Sequence, residues 1–389
     1  MRTLITGGTL LTPHQTLPQH TLVIEGAKIV AIQPNGVSAG PEDTVIDAQG
    51  MWVAPGLIDV HIHGSAGYDT MDATTEALHG LARFLAQHGV TGYLPTTGAA
   101  PSAATLAAIQ NVAVCPQPAD GAHHLGVHLE GPYLSAAHKG AQPVEHLRDA
   151  DPAEYGEWFA SGVVRLMTIA PERKGALVCI EQGVAQNIEF AIGHSGATYE
   201  QVLEAADRGL RQSTHTFNGM LGLHHREPGT VGAVLTDDRI YAQVIADGVH
   251  LHPAVVKLLV RAKGVGRTIL ITDAVRAAGL PDGEYNLLGF KVTVRGGVPR
   301  TETGSLAGST LTMDTGLRNL MTFAGLSLNE ALMTATSTPA EAMGWSGRKG
   351  VLAVGADADV ILLDANLTVR QTIVAGRVVY QSETSHKGG

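Results

Sequence analysis

The feature that most constrains this chain is a series of eight short apolar segments spread through its middle, each of strand length. They span residues 57–63, 92–97, 125–130, 164–170, 188–195, 212–217, 242–248 and 268–273. Helical stretches lie between most of them, at 75–87, 103–114, 199–208 and 253–262. In the last, Val255, Leu258 and Leu259 have the i, i+3, i+4 spacing of one buried face. Strands alternating with helices predict parallel strands joined by crossovers, and eight such units are what a closed (β/α)8 TIM-like barrel requires. The link between the sixth and seventh segments is weakly helical. A Gly-rich excursion over 282–307 reads as a hairpin over the barrel mouth, and helices at 311–322 and 329–336 then close the barrel.

The two ends differ from this middle. Thr21–Ile24 and Lys28–Ile32 flank the turn-like Glu25-Gly26-Ala27, and 358–363, 369–374 and 377–380 are β-rich in the same way. The expected architecture is α/β: a barrel over 55–345, and one small β-sandwich domain built from 1–54 and 346–389.

The polar residues keep phase with the apolar segments. His61, His63, Glu130, His194, His215, His250 and Asp273 all fall at or just past the C-terminal end of a predicted strand, the barrel face on which active sites are built. His61 and His63, two apart on a strand, point the same way and can reach one metal. Glu130 ends Val127-His128-Leu129-Glu130 and is followed at once by Gly131-Pro132, so it sits at the mouth, where a half-buried carboxylate needs a cation or donors. With His194 and His215 it makes the mixed N/O set of a catalytic divalent site, and it could bridge two metals if His61 and His63 hold the second. Taken singly, each of these residues reads equally as a hydrogen-bonded rim residue. Asp273 can take a proton from a water and return it to a leaving group, or serve as a cap or a further ligand. The loop His224-His225-Arg226-Glu227-Pro228-Gly229 offers a guanidinium suited to phosphate, although an ordinary solvated loop looks similar. Asn218-Gly219 supplies an amide and an open backbone N–H; His250 is a substrate donor or a core-edge histidine.

A formal charge of −10 argues against nucleic acid or an anionic membrane as the main partner, and an anionic small molecule would need local donors. With only Cys115 and Cys179 there is no disulfide framework. Met1-Arg2-Thr3-Leu4 has no signal-peptide character and no apolar stretch reaches spanning length, so the expected location is the cytoplasm.

The motifs PGLIDVHIHG, HLEGPYLS, KGAQP, IGHSGAT, THTFNGM, HHREPG, DGVH, ITDA, LAGSTLTM and GADADVILLD, in this order across essentially the whole chain, resemble the amidohydrolase superfamily. The resemblance is closest to members that deacetylate a 6-phosphorylated N-acetylglucosamine. It implies metal-dependent hydrolysis of that acetamide. Glu130, His194 and His215, with His61 and His63, would hold one or two divalent ions (Zn, Fe, Mn or Co). Asp273 would be general base, then acid. Ala141, Gln142, Asn218, Gly219, His225, Arg226, His250, Leu306 and Ala307 would line the substrate site. A homodimer is implied, with the Arg226 loop reaching the partner's site. Some members have a His that polarises the acetyl carbonyl where this chain has Gln142. The carbonyl donor is therefore open between Gln142, His138 and a second metal. A cyclic-amide hydrolase or deaminase, and a sugar-phosphate sensor without turnover, are the rival readings.

Overall fold

A computed structural model describes residues 2–12 and 15–382; the parts of the small-domain expectation at residues 1, 13–14 and 383–389 lie outside them. All eight apolar segments are strands: β1 Leu57–Ile62, β2 Val90–Thr97, β3 Val127–Glu130, β4 Val164–Ile169, β5 Glu189–Ile192, β6 Gln212–Ser213, β7 Tyr241–Ile245 and β8 Thr268–Ile271. Each pairs in parallel with the next. Between β8 and β1 the ring is joined just past the strands. There Asp273 donates its N–H to His61 O, and His63 and Gly64 both donate to Ala274 O, each at 2.9 Å. Thr272 Oγ1 adds a 2.6 Å hydrogen bond to buried Asp59. The join thus brings Asp273 beside His61 and His63.

Four strands stop two or more residues short of their apolar patterns, β7 at Ile245 and three others beside site residues. β5, β6 and β8 end before His194, Thr214 and Thr272, and His194 (φ 48°), His215 (φ 28°) and Asp273 (φ 49°) have left-handed backbone. L-residues adopt this region rarely, and it breaks the pleat. The chain turns at three of the predicted site residues instead of running through them.

Helices follow most strands. Thr75–Gln87 starts under the side chain of Thr74, which accepts from Ala77 N, and Tyr199–Asp207 starts in a Thr198–Gln201 capping box. Helix Pro253–Lys263 corrects the expected face: Val256, Leu259, Val260 and Lys263 are buried, while Leu258 is 49% exposed. The true stripe has the same spacing shifted by one residue. It ends in a lysine whose ammonium reaches Val234 O and Asp237 O at 2.9 and 2.7 Å. The weakly helical link holds Gly229–Thr236, and helices Met313–Ala324, Leu328–Ala335 and Ser337–Ala342 follow the excursion. The excursion itself is a three-stranded antiparallel sheet, Gly283–Leu287, Phe290–Arg295 and Val298–Thr301.

The two ends of the chain form two further sheets. One orders Lys28–Pro34, His20–Glu25, Arg2–Thr6 and Thr44–Asp47. The other orders Arg377–Gln381, Val369–Val374, Val360–Leu363, Trp52–Pro55, Thr9–Leu11 and Thr16–Pro18. Ile5, Leu22 and Ile24 of the first pack with Leu10, Val53, Val360 and Ile373 of the second in a core of their own. No helix among the described residues is long and apolar enough to cross a membrane.

Candidate active site

The strand ends converge. Glu130 Oε1 lies 3.3 Å from His194 Nε2 and 3.1 Å from His215 Nε2, and these two nitrogens are 3.1 Å apart. His61 Nε2 and His63 Nε2 are 3.3 Å apart, and 3.4 and 3.3 Å from Asp273 Oδ1. Glu130 spans the two groups, with Oε1 3.5 Å from His61 Nε2 and Oε2 3.3 Å from His63 Nε2. All six side chains are buried or nearly so.

The outer nitrogens decide what these groups offer inward. His63 Nδ1 is 3.2 Å from Thr96 O and His194 Nδ1 is 2.9 Å from His138 O. A carbonyl only accepts, so both Nδ1 atoms carry the hydrogen and both Nε2 atoms present lone pairs. Imidazole lone pairs therefore face carboxylate oxygens in a dry space, an arrangement that is costly without positive charge between them. The donor set fits a divalent cation, as two groups: Glu130 with His194 and His215, and His61 with His63 and Asp273.

Protons can supply part of that charge on the metal-free rings, as the upward tendencies of His63 and His194 beside the facing carboxylates show. Burial, outweighing nearby Asp273 and Glu130, holds the His61 imidazole down to about 4. Burial also disfavours the charged form of His63, but hydrogen bonds to Asp273 and Glu130 carry it well above the ordinary value. Burial would raise both carboxylates. Instead the histidines, His61 foremost, hold Glu130 well below the usual range and bring Asp273 down to about 2.

Above the cluster is a cavity of ≈ 320 Å³, within the range of small-molecule sites. Ala141, Gln142, Asn218, Gly219, His250 and Leu306 line it with the six residues' own side chains, His61 excepted. Gly219 (φ 58°) must be glycine, because a Cβ there would sit 2.8 Å from His194 Nδ1 and 3.0 Å from His138 O, across their hydrogen bond. Asn218 Nδ2 donates to His215 O at 3.1 Å. His250 Nδ1 is 2.7 Å from Asp247 Oδ2; burial lowers its pKa, but Asp247 prevails and raises it.

Of the expected site residues, Ala307, His138 and the His225–Arg226 loop do not line this chain's own cavity, which for that loop is what reaching a partner's site implies. Ala307 is not in the wall: it is fully buried with Val275, Leu287 and Val292, and its N–H donates to Pro299 O. His138 contributes its carbonyl to His194, while its ring lies against Gly196. His225 and Arg226 are exposed, paired with each other at 2.7 Å, and do not line the cavity. Conversely, Leu287 and Leu288 supply an apolar wall that sequence reasoning missed. Two leucines in a turn-like stretch that would otherwise be exposed were the available signal, as was Asp247 three residues before His250.

Residues 52–379 match the model of the Amidohydrolase family. The chain belongs to the amidohydrolase family. Among curated relatives, this amidohydrolase is 42% identical over 372 residues to an N-acetylgalactosamine-6-phosphate deacetylase of Escherichia coli O157:H7, covering 95% of this chain and 97% of that one. It is also 42% identical over 334 residues to an N-acetylglucosamine-6-phosphate deacetylase of Vibrio furnissii, covering 85% and 84%. The solved N-acetylglucosamine-6-phosphate deacetylase of Pasteurella multocida superposes with a TM-score of 0.93 at 30% identity, over 98% of this chain and 100% of that one.

Proposed function

We propose that this amidohydrolase hydrolyses the acetamide of N-acetyl-D-glucosamine 6-phosphate, giving D-glucosamine 6-phosphate and acetate, in amino-sugar breakdown and cell-wall recycling. The observation that carries this reading is the convergence of four imidazoles and two carboxylates on the floor of a sugar-sized cavity. Relatives named for this reaction cover most of the chain, and a variant of the Mycobacterium smegmatis enzyme is solved in complex with N-acetyl-D-glucosamine-6-phosphate. The galactosamine 6-phosphate epimer is a second reading, favoured by the Escherichia coli relative.

In this proposal Glu130, His194 and His215 would hold one divalent cation. His61 and His63, with Asp273 beside them, would hold a second. Zn, Fe, Mn or Co suits such N/O ligands. When bound, such a cation would supply Lewis acidity, toward a water (pKa brought to about 7) and toward the acetyl carbonyl. Asp273, a carboxylate at neutral pH, accepts the proton of the attacking water. It then delivers that proton to the departing amine nitrogen, which is otherwise a poor leaving group. Asn218, Gly219 and His250 orient the sugar.

The phosphate needs cationic donors, yet no Lys or Arg lines the cavity among the described residues. Arg226 sits on an exposed loop that also leaves Leu221 and Leu223 36% and 55% exposed. This supports a homodimer in which Arg226 and His225 of a second copy complete the site, because uncovered apolar side chains favour an interface. Two free, buried cysteines suit the cytoplasm.

Acetate release from N-acetylglucosamine 6-phosphate, its C4 epimer and the unphosphorylated sugar tests the reading. The expected kcat/KM is highest for the first and lower by orders of magnitude without the phosphate. Equal rates with and without phosphate would remove the Arg226 loop from recognition. Hydrolysis of a cyclic amide in place of all three would overturn the assignment.

A further inference from the structure

Gln142 occupies an unusual position for a residue on a substrate cavity, because both ends of its amide are already engaged by the protein. Its Oε1 accepts from Ala99 N–H at 2.8 Å, and its Nε2 donates to Glu130 Oε2 at 2.5 Å. The orientation is chemically fixed. A backbone N–H can only donate, so the amide oxygen must face Ala99, and a carboxylate can only accept, so the NH2 must face Glu130. The side chain is 6% exposed, so neither bond is in competition with bulk water.

The consequence falls on Glu130. Its Oε1 faces the His194–His215 pair, with His61 farther off at 3.5 Å, and its Oε2 faces His63 and Gln142. A carboxylate free to rotate about its terminal torsion would not keep one oxygen on each histidine group, since that torsion is broad. Gln142 pins it, and Ala99, on the loop after β2, pins Gln142 in turn. The loop after β2, the end of β3 and the 139–143 loop are thereby tied to one carboxylate.

We propose that Gln142 is a positioning residue for the cation site, acting through Glu130 rather than as the donor to the acetyl carbonyl. It holds Glu130 so that its two oxygens serve the two histidine groups at once. This rests on the reading of Glu130 as a metal ligand given above. An amide is well suited to the task, because it donates a hydrogen bond to a carboxylate at every pH at which the protein is folded and never competes for the cation as an imidazole would.

The test uses Gln142→Leu, which keeps the shape and removes both hydrogen bonds, and Gln142→Asn, which is too short to span Ala99 and Glu130. Full-length wild type and both variants are stripped of metal, checked for folding by circular dichroism, and titrated with Co(II) against a chelator. Loss of an outer partner of a metal ligand weakens affinity by about 10–100-fold. That weakening is the expected result for both variants, along with an altered visible Co(II) spectrum and a KM for the sugar phosphate close to wild type. If both variants bind Co(II) as tightly as wild type, with an unchanged spectrum, and lose kcat alone, Gln142 is the carbonyl donor and the proposal is overturned. Should Leu fail to fold, Asn decides alone. If wild type itself binds no Co(II), the reading of the cluster has failed, and that outcome is distinct from failure of the Gln142 proposal.

Discussion

Two clusters of buried or half-buried charge are treated oppositely. Where the outer sheets meet the segment before them, Lys349 Nζ lies 2.7 Å from Asp359 and 3.0 Å from Asp357, and Lys28 reaches Asp357 at 2.8 Å. Every buried carboxylate there has a lysine from the same chain. At the barrel mouth, Glu130 and Asp273 face imidazoles and one amide, with no Lys or Arg among the described residues of the cavity. Three of those residues also have left-handed backbone. The first arrangement is internally neutralised and serves the fold. The second is left to be completed from outside, which is the mark of a functional site.

The comparison is broken most severely by Asp273→Asn. The amide keeps the shape and cannot relay a proton, so kcat is expected to fall by about 10²–10⁴-fold with metal still bound. Steady-state kinetics beside metal analysis checks this, and a near-normal rate would remove Asp273 from the chemistry.

Lys349→Met is the matching cut in the other region. It strands Asp359, while Asp357 keeps Lys28, and breaking such a buried pair costs about 3–5 kcal/mol of stability. Denaturant unfolding should show that loss while kcat per folded molecule stays unchanged. A fall in kcat instead would mean the two regions are not separate.

Arg226→Ala sharpens the boundary of the mouth. KM for the phosphorylated sugar is expected to rise about tenfold or more, as for loss of a hydrogen bond to a charged group, with kcat nearly constant. An unchanged KM would leave the cavity without a phosphate partner.

Asp314 is a smaller test of internally paired charge. Burial pushes its carboxyl up, but the hydrogen bond with His88 at 3.0 Å and its charge prevail and bring it down to about 2. A carboxyl depressed on folding adds stability above its unfolded pKa, and that contribution disappears as pH falls through the folded value. Asp314→Asn should therefore cost about 2 kcal/mol near pH 5, with the gap to wild type closing between pH 4 and 2. A gap that widens on acidification would contradict the pairing.

Much of this was legible in the sequence, for a physical reason. A strand must present an unbroken apolar run and then stop, so a polar residue at the stop is conspicuous, as at Glu130, His194 and Asp273. His61-x-His63 alone reads as readily as a polar strand end; it was the set of strand-end histidines and carboxylates, with the motifs around them, that pointed to the chemistry. Less legible was anything set by packing between distant segments. Leu258 looks as buried as Leu259 until the shifted stripe Val256, Leu259, Val260 and Lys263 is seen. Ala307 is apolar in either of its possible places, so its identity could not separate cavity wall from hairpin core. Gln142 carries no label of its partner, because its bonds join residues 43 and 12 positions away.

The central claim is that the converging histidines and carboxylates hold a cation on which turnover depends. Elemental analysis of protein purified without added metal, paired with acetate release before and after chelation and metal return, addresses it directly. The account predicts at least one tightly held divalent cation per chain, absent from Glu130→Gln, with activity lost on chelation and restored on return. Full turnover by protein carrying no stoichiometric metal would contradict it.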